Sequence, residues 1–217
     1  MAILFGLQGH TDAACLFIVA GAVFDFFDGM TARALGISGP IGKELDSLAD
    51  AVTFGVAPSV LCYHILGTYI PQASATDNYL SLLAFIMAAF SALRLAKFNC
   101  DERQSLSFIG LPTPANALFW IGLIYLNQLC AVHEVLNPYI YLGLMALCSY
   151  LLISELPMFS LKLKKGHNGF AENRARYIFL CLCALVLIGF VVAGDLMASF
   201  SVIIPLYIVI SILDKKQ

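Results

Sequence analysis

The stretch IFLCLCALVLIGFVV, residues 178–192, is an unbroken apolar run with no charged side chain. A strand of a membrane barrel would alternate lipid-facing and lumen-facing residues, and this run does not alternate. In hydrocarbon the remaining way to satisfy every backbone N–H and C=O within one segment is an α-helix. LLAFIMAAFSAL, residues 82–93, reads the same way.

Working outward from these runs, the chain of 217 residues is 60% hydrophobic and 12% charged, with a mean hydropathy of +0.87. Soluble domains carry about a quarter charged residues, so this composition places the chain in a bilayer. With ~20 residues needed per crossing, seven spans are expected, at about 13–33, 44–70, 79–98, 113–131, 138–158, 177–195 and 198–213. The expected fold is an all-α, polytopic integral membrane helical bundle. No long linker, low-complexity tract or internal repeat divides the series, so 1–217 reads as a single membrane domain. PQASATDN (71–78), HEVLNP (133–138) and the turn after Gly194 carry the residues of surface loops.

All twelve Lys and Arg residues fall on one side if the spans alternate. The positive-inside rule makes that side cytosolic. Seven spans then leave the N-terminus outside, although MAILFGLQGHTDAA lacks the charged start and full apolar core of a signal peptide. AILFGLQG is therefore expected to be the end of a helix whose first half is absent. Restoring it would give eight spans and a cytosolic N-terminus.

The seven cysteines show no CxxC spacing and read as small apolar packing residues. The four histidines are equally dispersed, which gives zinc chemistry no support. A net charge of −2 without a basic stripe gives no nucleic-acid footprint.

The exception to this apolar pattern is DFFDGMTARALGISGPIGKELDSLAD, residues 25–50. Asp25 and Asp28 stand at i and i+3 near the end of the first span, followed by Gly29, Ala32 and Arg33 along the same face. GISGPIG breaks the chain, and the next helix sets Asp46 and Asp50 at i and i+4. Four carboxylates can meet where the two helices join. A single Asp at a helix centre costs about 2.5–3.5 kcal/mol even on lenient insertion scales, so the cluster needs neutralising. Hard divalent cations suit an all-oxygen set, and Mg²⁺ is usually held by a few carboxylates together with substrate phosphates. Gly29 and Ala32 let a ligand approach the backbone, and Arg33 offers a planar fork for phosphate oxygens. Two other readings stay open: aspartates that cap helix ends or pair with Arg33 and Lys43 at the headgroups, and an ion pathway in a transporter.

The pattern D-x2-D-G-x2-A-R-x8-G-x3-D-x3-D runs through Asp25, Asp28, Gly29, Ala32, Arg33, Gly42, Asp46 and Asp50 without deviation. It resembles the signature of the CDP-alcohol phosphatidyltransferases. LDSLADAVTFGVAPS (45–59), RLAKFN (94–99), GLPTPANA (110–117) and PMFSLKLK (157–164) are similar to the phosphatidylserine synthase branch of that family. The resemblance covers nearly the whole chain from about residue 13, with the catalytic core at about 13–101. The PNxxT-type stretch with which members usually begin is not present.

That resemblance implies transfer of a phosphatidyl group from CDP-diacylglycerol to L-serine, with CMP leaving. It implies two divalent ions, Mg²⁺ or Mn²⁺, held by Asp25, Asp28, Asp46 and Asp50, with Asp50 also acting as general base on the serine hydroxyl. Gly29, Ala32 and Arg33 would face the nucleotide. Serine must be held by its carboxylate and ammonium, and Arg94, Lys97 and Asn99 at the cytosolic end of the third span are the candidates; ordinary snorkelling anchors are the alternative for the two bases. KLKKGHNGFAENRAR (162–176) suits anionic headgroups better than serine. Gly55 and Pro58 are expected to kink the second helix. Glycerol phosphate or inositol is the alternative acceptor. A homodimer in a bacterial inner membrane, with the site facing the cytosol, completes the expectation.

Overall fold

The computed structural model describes residues 1–36, 39–69, 77–100, 108–129, 138–158 and 174–213. Each predicted span contains a helix within these residues, and the fold is an all-α, multi-pass membrane bundle. Among the described residues, four helical stretches are long and apolar enough to cross a bilayer: Thr11–Ala32, Pro40–Thr68, Ser81–Cys100 and Arg174–Ala193. Pro138–Ile153 and Met197–Leu213 are apolar but shorter. The chain gathers into two compact units, one drawn from residues 1–101 and 134–153, the other from 102–133 and 154–217.

The first unit opens with the short helix α1 (Ala2–Leu7) and the long α2 (Thr11–Leu35). At 1.5 Å per residue, α2 extends about 37 Å, more than the hydrocarbon thickness. It stops at Gly36, whose φ of +65° an L side chain rarely adopts. The next helix, α3 (Pro40–Asp50), starts after the extended Gly39, with Pro40 in the first turn where a missing N–H costs nothing. None of the eleven residues of α3 is buried.

A π-helical turn over Ala51–Val56 joins α3 to α4 (Ala57–Tyr69) without breaking the helix. Its wide spacing shows in the Ala57 N–H, which donates to Val52 O five residues back. The cause lies just beyond it: Pro58 has no N–H and its ring clashes with the carbonyl of Phe54, so the ladder must open. The Ser59 hydroxyl donates to Gly55 O at 2.8 Å, occupying one of the carbonyls in the disturbed region. The expected kink is thus a change of helical pitch. Small residues let the neighbouring helices close on this turn: a Cβ on Gly21 of α2 would lie 2.7 Å from Thr53 Cγ2, and one on Gly55 would lie 3.0 Å from Ser91 Cβ.

Ser91 belongs to α6 (Phe85–Cys100), which follows the single turn α5 (Asp77–Leu80) and a 3₁₀ turn over Ser81–Ala84. α8 (Pro138–Ile153) packs against α6. The predicted span 138–158 ends early, because the chain leaves the helix at Ser154 ahead of Pro157.

The second unit is centred on α7 (Thr113–Leu129), ten of whose seventeen residues are buried, Trp120 and Ile121 among them. It packs against α10 (Phe200–Leu213). Phe179 of α9 (Arg174–Ala193) meets Tyr207 of α10 with ring centroids 5.7 Å apart, over the buried Met158. The other face of α9 leaves Leu185, Ile188 and Val192 exposed, as a lipid-facing surface requires. The GLPTPANA stretch leads out of a two-residue antiparallel ladder, Phe108–Ile109 with Pro157–Met158, into the first turn of α7. Gly110 N–H extends that pairing by donating to Leu156 O at 2.9 Å.

Of the cysteines, Cys15, Cys62 and Cys148 are buried and Cys183 is partly so, in keeping with packing roles; Cys100 and Cys181 are exposed. Cys130 lies outside the described residues, as does nearly all of the basic stretch 162–176.

Candidate active site

Both acidic pairs lie in the first unit, two on α2 and two on α3. One carboxylate oxygen from each of Asp25, Asp28 and Asp46 can be chosen so that all three lie within 4.8 Å of one another. Oxygens bound to one octahedral Mg²⁺ at 2.0–2.1 Å stand roughly 3 Å apart when adjacent and about 4 Å apart when opposite. A small closure of these side chains would therefore seat a divalent cation, and the all-oxygen donor set is of the right chemical type. Asp25 is half-buried, whereas Asp28 and Asp46 are exposed and accessible to a ligand.

Asp50 is not in the set that closes to that distance. It sits one turn beyond Asp46, half-buried, at the junction of α3 and the π-helical turn. There it is within electrostatic reach of Asp25, Asp46 and Asp28, and of one opposite charge, Arg94.

The acids open onto a cleft of about 510 Å³ between α2 and α3. Its walls include Asp28, Gly29 and Ala32 from α2, and Gly42, Lys43 and Asp46 from α3. A Cβ added at Gly42 would meet no atom within 4 Å, so the space beside it is open. Gly29 and Ala32 thus stand where a ligand next to the metal set would need small residues. Arg33 lies on the last turns of α2, its side chain outside the described part of the structure.

The three polar candidates on α6 separate. Arg94 is buried, 6% exposed, with its guanidinium carbon 5.9 Å from the centroid of the Phe98 ring. Burial on the side of Asp50 suits it to an anionic group at the acid cluster. Lys97 is exposed, and its Nζ donates to Ile153 O at the end of α8, 3.5 Å away. A cation at a helix C-terminus is favourable whatever the ligand. Asn99 turns to α3: its Nδ2 donates to Ser47 Oγ at 2.9 Å and to Glu44 Oε1 at 3.4 Å. In return Lys43 Nζ donates to Asn99 O at 3.1 Å.

Ser47 and Glu44 were not singled out from the sequence. Ser47 carries a usable signal, since it shares a helical face with Asp46 and Asp50. Its partner lies 52 residues away, a separation that no local pattern reveals.

The chain is similar to several curated proteins. The chain is 43% identical over 108 residues to the CDP-diacylglycerol–serine O-phosphatidyltransferase of Bacillus subtilis (strain 168), a match covering 50% of this chain and 58% of that protein. It is 33% identical over 202 residues to the protein of the same name from Mycobacterium leprae (strain TN), covering 90% of this chain and 63% of the relative. It is also 34% identical over 122 residues to the archaetidylserine synthase of Methanothermobacter thermautotrophicus, covering 54% of this chain and 48% of the relative. These matches therefore span between about half and somewhat under two-thirds of the length of these relatives. The family model for CDP-alcohol phosphatidyltransferases matches residues 1–154, which take in all of the first unit and both acidic pairs. On this match, the chain belongs to the CDP-alcohol phosphatidyltransferase family.

Proposed function

We propose that this protein transfers the phosphatidyl group of CDP-diacylglycerol to L-serine, giving phosphatidylserine and CMP. The observation that carries the reading is the convergence of Asp25, Asp28 and Asp46 from two helices beside a cleft lined by small residues. The names of the relatives support serine as the acceptor.

Two divalent ions, Mg²⁺ or Mn²⁺, would be held by Asp25, Asp28 and Asp46 with Asp50 completing the set. When bound, they supply positive charge against the diphosphate and the departing CMP. The chain's own residues do the rest. Gly29, Ala32 and Arg33 receive the cytidine diphosphate moiety. Arg94 holds the serine carboxylate from its buried position. Asp50 takes the proton of the serine hydroxyl as its oxygen forms the new bond to phosphorus and the bond from that phosphorus to the CMP oxygen breaks. The enzyme works as a homodimer in the cell membrane, with the cleft facing the cytosol and the whole of residues 1–217 forming one membrane domain.

The test is CMP release by purified protein supplied with CDP-diacylglycerol and, in turn, L-serine, glycerol 3-phosphate and inositol. CMP should appear with serine, disappear with EDTA and return with Mg²⁺ or Mn²⁺. Asp50→Asn should lower kcat by about 10²–10⁴-fold, the usual contribution of a positioned base. Turnover with another alcohol and none with serine would reassign the acceptor, and undiminished turnover by Asp50→Asn would remove it from the chemistry.

A further inference from the structure

α3 carries Asp46 and Asp50, yet apolar packing does not hold it, because none of its residues is buried. It is also bounded by two adaptable joints. Before it stand Gly36 with positive φ and the extended Gly39; after it comes the π-helical turn. The backbone runs unbroken from α3 into α4, so a small change of pitch at the π-helical turn is enough to swing the direction in which the α3 side chains point. Rotation matters here because Lys43, Asp46, Ser47 and Asp50 recur at i, i+3, i+4 and i+7 and so share one face.

Among the described residues, the hydrogen bonds that tie α3 to another helix are those to Asn99. Its Nδ2 bonds Ser47 Oγ and Glu44 Oε1, and its main-chain carbonyl accepts from Lys43 Nζ, so three residues of α3 meet the last turn of α6. Ser47 is tied back in turn, its Oγ donating to Lys43 O at 3.2 Å. Glu44 as a carboxylate only accepts, which fixes the amide with its NH₂ toward α3. Arg94 lies on the same helix, five residues and nearly one and a half turns before Asn99. α6 therefore presents Arg94 to the acids and, with the next turn, sets the angle at which those acids point.

We propose that Asn99 is a positioning residue: its side chain latches α3 through Ser47 and Glu44, and so sets the register of Asp46 and Asp50 at the metal site. This inference rests on the reading of those two aspartates given above, and it assigns Asn99 to α3 rather than to serine.

The variant that tests it is Asn99→Asp, which keeps the shape, removes both donors and sets a carboxylate against Glu44. The readout is Mn²⁺ affinity of the purified full chain in detergent, followed by electron paramagnetic resonance, beside kcat and the KM for serine. Orienting partners of metal ligands typically contribute about 10–100-fold, so Mn²⁺ affinity and kcat should fall together by about that factor with little change in the serine KM. Adding Glu44→Gln to Asn99→Asp restores a donor to the pair and should bring Mn²⁺ affinity back to within about threefold of the parent, a recovery in line with coupling between residues in contact. If Asn99→Asp does not elute as a folded species, Ser47→Ala replaces it, with an expected loss of at least about threefold in Mn²⁺ affinity for one neutral hydrogen bond. Parental Mn²⁺ affinity in Asn99→Asp or in Ser47→Ala overturns the latch. So does a rise confined to the serine KM that Glu44→Gln fails to correct, which would make Asn99 a substrate ligand. A parent protein that binds no Mn²⁺ refutes instead the metal reading on which the latch stands.

Discussion

Two polar clusters occupy the first unit, and they are built on opposite plans. The four aspartates of α2 and α3 come from separate helices and draw together, three of them to within 4.8 Å. Arg94, Lys97 and Asn99 lie within six residues of one helix and disperse: one is buried near Asp50, one is exposed at the end of α8, and one is bonded to α3. Proximity along the chain therefore says little about shared work. Carboxylates held this close repel one another and so share one need, a common counter-charge, whereas a long cationic or amide side chain at a helix end finds whichever carbonyl or hydroxyl is nearest. The acids can be read as one functional group, but the trio must be read residue by residue.

The contrast can be broken from either side. Asp46→Asn should have the largest effect, lowering kcat by about 10²–10³-fold, as expected for a group acting on developing charge, with weaker Mn²⁺ binding. Turnover near the parental value would mean that the three-oxygen set is not where the metal acts. Arg94→Ala should come next, lowering kcat/KM for serine by about 10–100-fold, the equivalent of one charge-assisted hydrogen bond of about 1.5–3 kcal/mol. Its Mn²⁺ affinity should stay close to that of the parent, and a joint collapse of both quantities would show that Arg94 supports the acids instead of the acceptor. Lys97→Met should be mildest, within about threefold in every kinetic constant, since an exposed charge contributes about 0–1 kcal/mol. A serine KM raised tenfold by that change would return Lys97 to the substrate and erase the division of roles within the trio.

The fold class and the acidic half of the site were legible in the sequence because each rests on a short-range regularity. Continuous apolar runs leave a helix as the only solution in lipid, and i, i+3 and i, i+4 spacing puts carboxylates on one face before any tertiary contact is known. The π-helical turn was legible only as Gly55 and Pro58, which announce a disturbance without fixing its form. The separate fates of Arg94, Lys97 and Asn99 were not legible, because they depend on which element packs beside each one. Ile153 stands 56 residues from Lys97, and Ser47 stands 52 residues from Asn99. The division into two units, with residues 134–153 returning to join the first, is likewise a long-range outcome that an even series of hydrophobic spans conceals.

The widened turn after Asp50 has a geometric corollary. Each residue of an α-helix advances the side-chain azimuth by about 100°, and a single π turn accommodates one residue more than the regular spiral. The stretch Pro40–Thr68 thus behaves as two screws on a shared axis, offset in phase where they meet. The leading screw can aim its acids while the trailing one keeps its own apolar orientation toward α1 and α6, and neither alignment has to be sacrificed to the other. Removing one residue between Ala51 and Val56 would merge them into a single thread, and the resulting quarter-turn would fall on whichever half is held less firmly, which here is the half that bears the carboxylates.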